Sequence, residues 1–361
     1  MKIGIDCRYA EDNLTGIGNY IFNLSTKIAE ENNELYLFYS RIPKVRIQRQ
    51  NVKTIVFKTN NQYMFEQLFV PRFLSKEKIE IYHAPGNVGI SAFVPCPSLV
   101  TVHDIIPLLM EKYFDKSKFP LLSAYSYIFR LRTTLFYSKK IISISNYTKK
   151  CLVEKLSINP EKIEVIGQSV EVAKSIKEKK FLNYPYIICN SGISERKNLK
   201  RLIGCFKNVR EVFPAYRLVI TGENLSLKNE LIEFTKILGI ENYVVFTGFL
   251  DIQELYSLIK GARLVCNISN IEGFGLPLLE AFSLGIPVIC SDIPSFREVA
   301  GNSAIFVNQY NERDITKVLI NLIRDSKKRQ ALVDSGYNQL KKYSWKGIIK
   351  RILETYKEIT G

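Results

Sequence analysis

The chain has 361 residues, enough for two domains at roughly 150 residues each, and a composition of 46% hydrophobic and 24% charged residues with 19 Gly and 13 Pro, which excludes disordered and collagen-like classes. Its 51 Lys and Arg against 35 Asp and Glu give a net charge of +16, so an anionic partner is expected: nucleic acid, phosphorylated substrate or acidic lipid. His83 and His103 are the only histidines and the seven cysteines form no CxxC pair, so no metal site is expected and the cysteines read as free thiols in a reducing, cytoplasmic compartment.

From the amino terminus, MKIGIDCRYA starts with a strand-like run and lacks the apolar core of a signal peptide. Strand-length apolar runs then alternate with amphipathic segments: KIGID and the helix GNYIFNLSTKIAE, followed by ELYLFYS, TIVFK, IEIYHA, PSLVTVHD, KKIISIS, the helix NYTKKCLVEKL, and KIEVIG. That alternation predicts a parallel sheet with helical crossovers. The segment EVAKSIKEKKFLNYP reads as a linker, after which a second cycle begins with YIICNSG and the helix NLKRLIGCFKNVREV. It continues through YRLVITG, NYVVFTG, ELYSLIKG, RLVCNIS, LLEAFSLG and PVICSD. The expected architecture is α/β, two Rossmann-like doubly wound domains facing each other across a cleft. Its expected divisions are residues 1–168, a linker at 169–183, residues 184–340, and a carboxyl-terminal helix at 341–361 that packs back toward the first domain.

Ligands of such sheets bind outside the carboxyl ends of the strands, so the turns there carry the information. After the first strand, Gly16 and Gly18 precede a helix, where backbone N–H groups approach an anion; a complete dinucleotide fingerprint needs a third glycine where Ile21 stands. In SGISERKN, Arg196 and Lys197 fall where a helix begins, a place where cations oppose the helix dipole unless an anion sits beside them. In NIEGFGLPLLEAFSLG, Glu272 and Glu280 stand eight residues apart around a GFG turn, with Pro277 at the start of a helix. Two carboxylates and two glycines so placed suit a polyhydroxyl ligand, because carboxylates accept hydrogen bonds from hydroxyls.

EGFGLPLLEA resembles the E-x7-E signature of the retaining glycosyltransferases of family 4, built on the two-domain GT-B fold, and TGIGNY, VHDIIP, SGISERKN and SDIPSFREV fall at family-like places in order. The resemblance spans essentially the whole chain and is greatest to bacterial mannosyl- and rhamnosyltransferases of surface polysaccharide assembly. It departs where relatives often read NGVD and this chain reads IGQSVEVAK.

The resemblance implies that Arg196 and Lys197 grip a donor pyrophosphate and that Glu280 holds the ribose hydroxyls. It further implies that Glu272 holds the donor sugar with the backbone of Gly273, Phe274 and Gly275, and that Leu276 and Gly192 border the donor. Gly16 and Gly18 would close over the phosphates, and His103, at a strand end, would sit beside the reacting sugar, with His83 a second candidate. The expected reaction is metal-independent hexosyl transfer from a nucleotide sugar, GDP-mannose the first choice, with no further cofactor, to a growing lipid-linked glycan. The alternatives are another activity on the same fold, such as a nucleotide-sugar epimerase, or a basic nucleic-acid-binding protein; the E-x7-E string, which nucleic-acid binding does not need, favours the transferase, and no nucleic-acid partner is expected.

The charge is concentrated. Residues 112–150 carry nine basic side chains against one acidic, with Tyr125, Tyr127, Phe129 and Phe136 interleaved among Arg130, Arg132, Lys139 and Lys140. Such a segment suits an anionic membrane surface. No run reaches the roughly 18 uninterrupted apolar residues of a membrane-spanning helix.

Overall fold

The structure, a computed structural model, describes all residues except 13–15, 112, 116, 118 and 172–181. The described chain divides into two units, Met1–Gln168 with Trp345–Gly361, and Ser169–Ser344. The first holds seven strands: β1 (Lys2–Asp6), β2 (Glu34–Tyr39), β3 (Val52–Val56), β4 (Ile81–Ala84), β5 (Ser98–Val102), β6 (Lys140–Ser143) and β7 (Ile163–Val165), in spatial order β3-β2-β1-β4-β5-β6-β7. The second holds β8 (Tyr186–Cys189), β9 (Arg217–Ile220), β10 (Val244–Phe246), β11 (Leu264–Asn267), β12 (Val288–Ser291) and β13 (Ala304–Val307), ordered β10-β9-β8-β11-β12-β13. Every strand pair in both sheets is parallel. In each unit the order reverses between its first and fourth strands, which opens a crevice beyond the strand ends at β1/β4 and at β8/β11.

The strands of β2 show why both faces must be covered. Leu35, Leu37 and Tyr39 enter one core layer, with the helix Ile17–Ala29, while Tyr36 and Phe38 enter the layer on the opposite face. A strand apolar at every position is stable only where helices cover both faces, as parallel crossovers ensure. The helix Trp345–Thr360 belongs to the first unit: Trp345, Ile348, Ile349, Ile352, Tyr356 and Ile359 form its apolar stripe in the layer of Leu24 and Ile28. Second-unit packing centres on Ile187, Leu218, Leu264 and Ile289 beneath Leu202, Ile203 and Phe206 of the helix Leu199–Val212.

Several elements differ from the sequence expectation. Strand β13 is not among the expected strands: AIFV is a short apolar run without alternation, and such a run does not by itself tell a strand from a buried helical segment. Most of the expected linker lies outside the described residues, and the second unit takes in Ser169, whose hydroxyl donates to the Tyr343 carbonyl at 2.9 Å. In the basic-aromatic segment, the helix Pro120–Tyr137 buries Leu131, Thr134 and Leu135. Arg130 is not one of its surface cations: it turns inward onto Glu66, 2.5 Å away, in a buried cluster where Arg8 bridges Asp6 and Glu66 at 2.6 and 2.7 Å. Lys140 pairs with Glu358 at 3.0 Å. All seven cysteines are free thiols, six of them buried. Among the described residues, no helix is long and apolar enough to cross a membrane, and no group of three or more His, Cys, Asp or Glu could hold a metal ion.

Candidate active site

In the second unit, the turn after β8 and the turn after β11 bring together side chains 75 residues apart. Arg196 and Lys197 lie in a single 3-10 turn, Glu195–Lys197, ended by Asn198 at a positive φ of 58° before the helix Leu199–Val212. Lys197 is buried, and its Nζ donates to Glu272 Oε1 at 2.5 Å. Arg196 Nη1 donates to Glu272 Oε2 and to the Ile271 carbonyl. Ser269 Oγ donates to Glu272 Oε1 at 2.8 Å, and Ser291 at the end of β12 donates to the Ser269 carbonyl at 2.6 Å, so the neighbouring strand fixes this turn. Backbone joins the two turns as well, through Asn270 N–H donating to the Arg196 carbonyl at 2.7 Å.

Burial disfavours both charges of this pair. At Glu272 the cations Lys197 and Arg196 and the Ser269 hydroxyl outweigh it and hold the carboxyl below the usual range. At Lys197 burial, with Arg196 nearby, outweighs Glu272, and the ammonium titrates below an ordinary lysine. The sequence assigns the cations to an anion from outside; the fold supplies one of its own in Glu272. Two cations converge on one carboxylate, leaving an excess of positive charge for a second anion.

Glu280 sits in the fifth position of the helix Leu276–Ser283, which starts after Gly275 at φ 151° with Pro277 in its first turn. A Cβ on Gly275 would meet the Phe296 ring at 3.2 Å. Its conformation favours glycine, and a Cβ there would press on the Phe296 ring. Phe274 is buried edge-on against Tyr343, with 5.7 Å between ring centres, so its side chain fixes the turn and its backbone is what remains for a ligand. Leu276 is the first residue of the helix. Asn190, directly after β8, donates from Nδ2 to Glu280 Oε2 at 2.9 Å and to the Pro277 carbonyl at 3.1 Å. Burial pushes the Glu280 carboxyl up to about 7 against the lowering effects of Asn190 and Lys197. Gly192, at φ 80°, has open space where a Cβ would stand, and a Cβ on Gly222 of the next strand-end turn would come within 2.7 Å of the Gly192 Cα. The structure therefore groups Gly192, Arg196, Lys197, Glu272, Gly273, Phe274 and Gly275 on two adjoining strand-end turns, with Leu276 and Glu280 in the helix that follows the second, and adds Asn190, Asn267 and Ser269. Position at or just beyond a strand end was the available signal for these three, but asparagines and a serine at such places are too common to single out.

The first unit carries the remaining candidates. Gly16 caps the helix Ile17–Ala29 at φ 48°, and Gly18 lies so close to the Tyr9 carbonyl that a Cβ there would collide with it. His103 follows β5 and is buried. Its Nε2 contacts the Pro85 carbonyl at 2.8 Å, which can only accept, so Nε2 carries the hydrogen and Nδ1 accepts from Gln168 Nε2 at 2.7 Å. Tyr20 packs edge-on against it at 4.9 Å. Burial lowers the His103 imidazole to about 4. Both ring nitrogens are engaged, and no nitrogen is left to take a proton. Gln168 falls in the segment that departs from the family pattern. His83 is a core residue, hydrogen-bonded to Tyr356 at 2.6 Å and Thr101 at 2.8 Å, with burial lowering its imidazole to about 3.

Two doubly wound parallel sheets, the second carrying paired cations and carboxylates at its switch point, define the GT-B class. Residues 14–174 match Glycosyltransferase Family 4 and residues 171–339 match Glycosyl transferases group 1, and the chain belongs to these glycosyltransferases. O-antigen chain mannosyltransferase B of Escherichia coli is 24% identical, over 95% of this chain and 96% of its own. O-antigen chain mannosyltransferase RfbU of Salmonella typhimurium is 29% identical over 62% of this chain and 60% of its own. Among solved structures, that of Anabaena HepE in complex with UDP-glucose superimposes with a TM-score of 0.79 at 17% identity, covering 99% of this chain and 100% of that one.

Proposed function

We propose that this glycosyltransferase moves a hexose, mannose or a 6-deoxyhexose, from a nucleotide sugar to a growing, lipid-linked glycan in surface polysaccharide assembly at the cytoplasmic face of the membrane, with GDP-mannose the first donor to test. The observation that carries this is the convergence of Arg196 and Lys197 on Glu272 beside Glu280. A sugar leaving a nucleoside diphosphate puts negative charge on the departing phosphate, and two fixed cations stabilise that charge as it develops. In this reading the diphosphate engages the remaining donors of Arg196 and Lys197, while Glu272 and the backbone of Gly273, Phe274 and Gly275 meet the sugar hydroxyls. Glu280 accepts from the ribose.

The departing phosphate takes the acceptor hydroxyl proton on the face it leaves, so configuration at the anomeric carbon is retained without an enzyme nucleophile and without a metal. His103 then acts by holding the ends of β4 and β5 together rather than as a base, since both its nitrogens are bound. Association with an anionic membrane is supported by the helix Pro120–Tyr137, which exposes Leu121, Leu122, Tyr125, Phe129 and Phe136, flanked by exposed Arg132 and Lys139.

The test is a hydrolysis and binding screen across GDP-, UDP- and dTDP-sugars with the wild type, Arg196→Ala and Glu280→Ala. Transfer is expected to vanish in both variants while circular dichroism is unchanged; full activity in either refutes the assignment, and tight oligonucleotide binding with no nucleotide-sugar binding would favour the nucleic-acid alternative.

A further inference from the structure

The side chains at the β8/β11 switch point form a chain of hydrogen bonds that ends on Glu280. Cys189 Sγ donates to Asn267 Oδ1 at 3.3 Å, Asn267 Nδ2 donates to Asn190 Oδ1 at 2.9 Å, and Asn190 Nδ2 donates to Glu280 Oε2. Asn267 is the last residue of β11 and is fully buried; Asn190 follows β8 and is 6% exposed. The orientation of the Asn190 amide is fully determined. Its oxygen faces the Asn267 amino group, and its amino group faces two acceptors, the Pro277 carbonyl and the Glu280 carboxylate. A flipped amide would set oxygen against both.

We propose that Asn190, held in place by Asn267, is a positioning residue that aims the Glu280 carboxylate at the vicinal hydroxyls of the donor's ribose. This rests on the assignment of Glu280 to the ribose. One carboxylate oxygen accepts from Asn190, which restrains the group, and the other is the one that would accept from a ligand hydroxyl. A half-buried carboxyl serves as such an acceptor only when ionised, and burial works against ionisation. Among the described residues, the titratable groups coupled to it are Lys197, from the turn before the helix Leu199–Val212, and Tyr256, from the helix Ile252–Lys260, which Glu171 also faces. Tyr256 stays protonated at neutral pH, raised by burial and by Glu280 itself. Asn190 and Lys197 are thus the two influences that favour the charged form, and Asn190 is the one in hydrogen-bond contact. The same two strands that form the switch point of the sheet therefore set the charge and direction of the group that reads the nucleotide.

The experiment measures GDP binding by calorimetry from pH 6 to 9 in the full-length wild type, Asn190→Leu, Asn190→Ser, Asn267→Leu and Glu280→Gln, with 2′,3′-dideoxy-GDP as the control nucleotide. Wild-type affinity for GDP is expected to rise through a midpoint near the Glu280 value of about 7, and affinity for the dideoxy nucleotide to lack that step. Asn190→Leu is expected to weaken GDP binding about tenfold or more at pH 7, the scale of one hydrogen bond to a charged group, with most of the loss recovered at pH 9. Asn190→Ser, which adds no bulk, reports the same displaced midpoint should the leucine variant fail to fold, and Asn267→Leu shifts it to a smaller extent. Glu280→Gln abolishes the step. An unshifted midpoint in the Asn190 variants while Glu280→Gln loses GDP affinity overturns the positioning role alone; unchanged GDP affinity in Glu280→Gln overturns the ribose assignment and the positioning role with it.

Discussion

Replacing Glu272 with alanine tests the charge arrangement of the site most directly. The substitution removes the acceptor of Lys197, Arg196 and Ser269 at once. Arg196 keeps the Ile271 carbonyl and has a side chain 26% exposed, so it can turn toward water; Lys197, 5% exposed, cannot. Removing one partner of a buried pair costs about 3–5 kcal/mol, because the other charge is left without compensation. For a unit the size of Ser169–Ser344 that corresponds to a fall in melting temperature of roughly 6–20 °C. The cost is expected to shrink as pH rises, since Lys197 already titrates below an ordinary lysine and sheds its proton more readily once Glu272 is gone. In a cycle with Lys197→Met, the double variant Glu272→Leu, Lys197→Met should recover most of the loss, as hydrophobic replacement of a buried pair is often neutral. Scanning calorimetry with and without inorganic pyrophosphate supplies the assay: the anion should raise the melting temperature of Glu272→Ala more than that of wild type by taking the place of the carboxylate. A Glu272→Ala variant within about 0.5 kcal/mol of wild type, a change typical of surface substitutions, would refute the buried pairing.

Two further outcomes concern the first unit. His83 and His103 have imidazoles lowered by burial to about 3 and about 4, so the unfolded chain binds more protons than the folded one below the ordinary histidine value of 6.5. The contribution of the two histidines to the stability of the first unit is therefore fully present well above pH 6.5 and falls as pH drops toward 4, by on the order of 3 kcal/mol for each at pH 4; a urea midpoint of the first unit that responds to pH between 7 and 4 no more in wild type than in His83→Gln, His103→Gln would contradict this. Vesicle flotation with anionic and neutral liposomes tests the exposed face of the helix Pro120–Tyr137. Salt-sensitive binding to anionic vesicles, reduced severalfold in Phe129→Ser, Phe136→Ser, is expected, and equal binding to neutral vesicles would exclude an electrostatic contribution.

Much of the molecule is legible in its sequence. Strand and helix alternation set the two parallel sheets, because a strand apolar at every position is stable only between covering helices. The E-x7-E string located the site, because its glycines, carboxylates and proline occupy one short turn and the first residues of the following helix. Local features of this kind are written in consecutive residues.

What the sequence did not disclose all depends on contacts between distant segments. Parallel strands require a crossover, so neighbours in the sheet are far apart in the chain. The partnership of Lys197 with Glu272 spans 75 residues, that of His103 with Gln168 spans 65, and that of Arg130 with Glu66 spans 64. Arg130 read as a surface cation because its helix is basic and aromatic; the tertiary structure turned it inward, since a buried carboxylate needs a partner. Lys197 and Glu272 read as two ligand contacts; packing made them partners of each other as well. The sequence by itself determined the two doubly wound sheets and the residues that carry the chemistry. Only the tertiary structure decided which charges neutralise one another, because buried charges are stabilised by whichever groups the fold brings within hydrogen-bond reach.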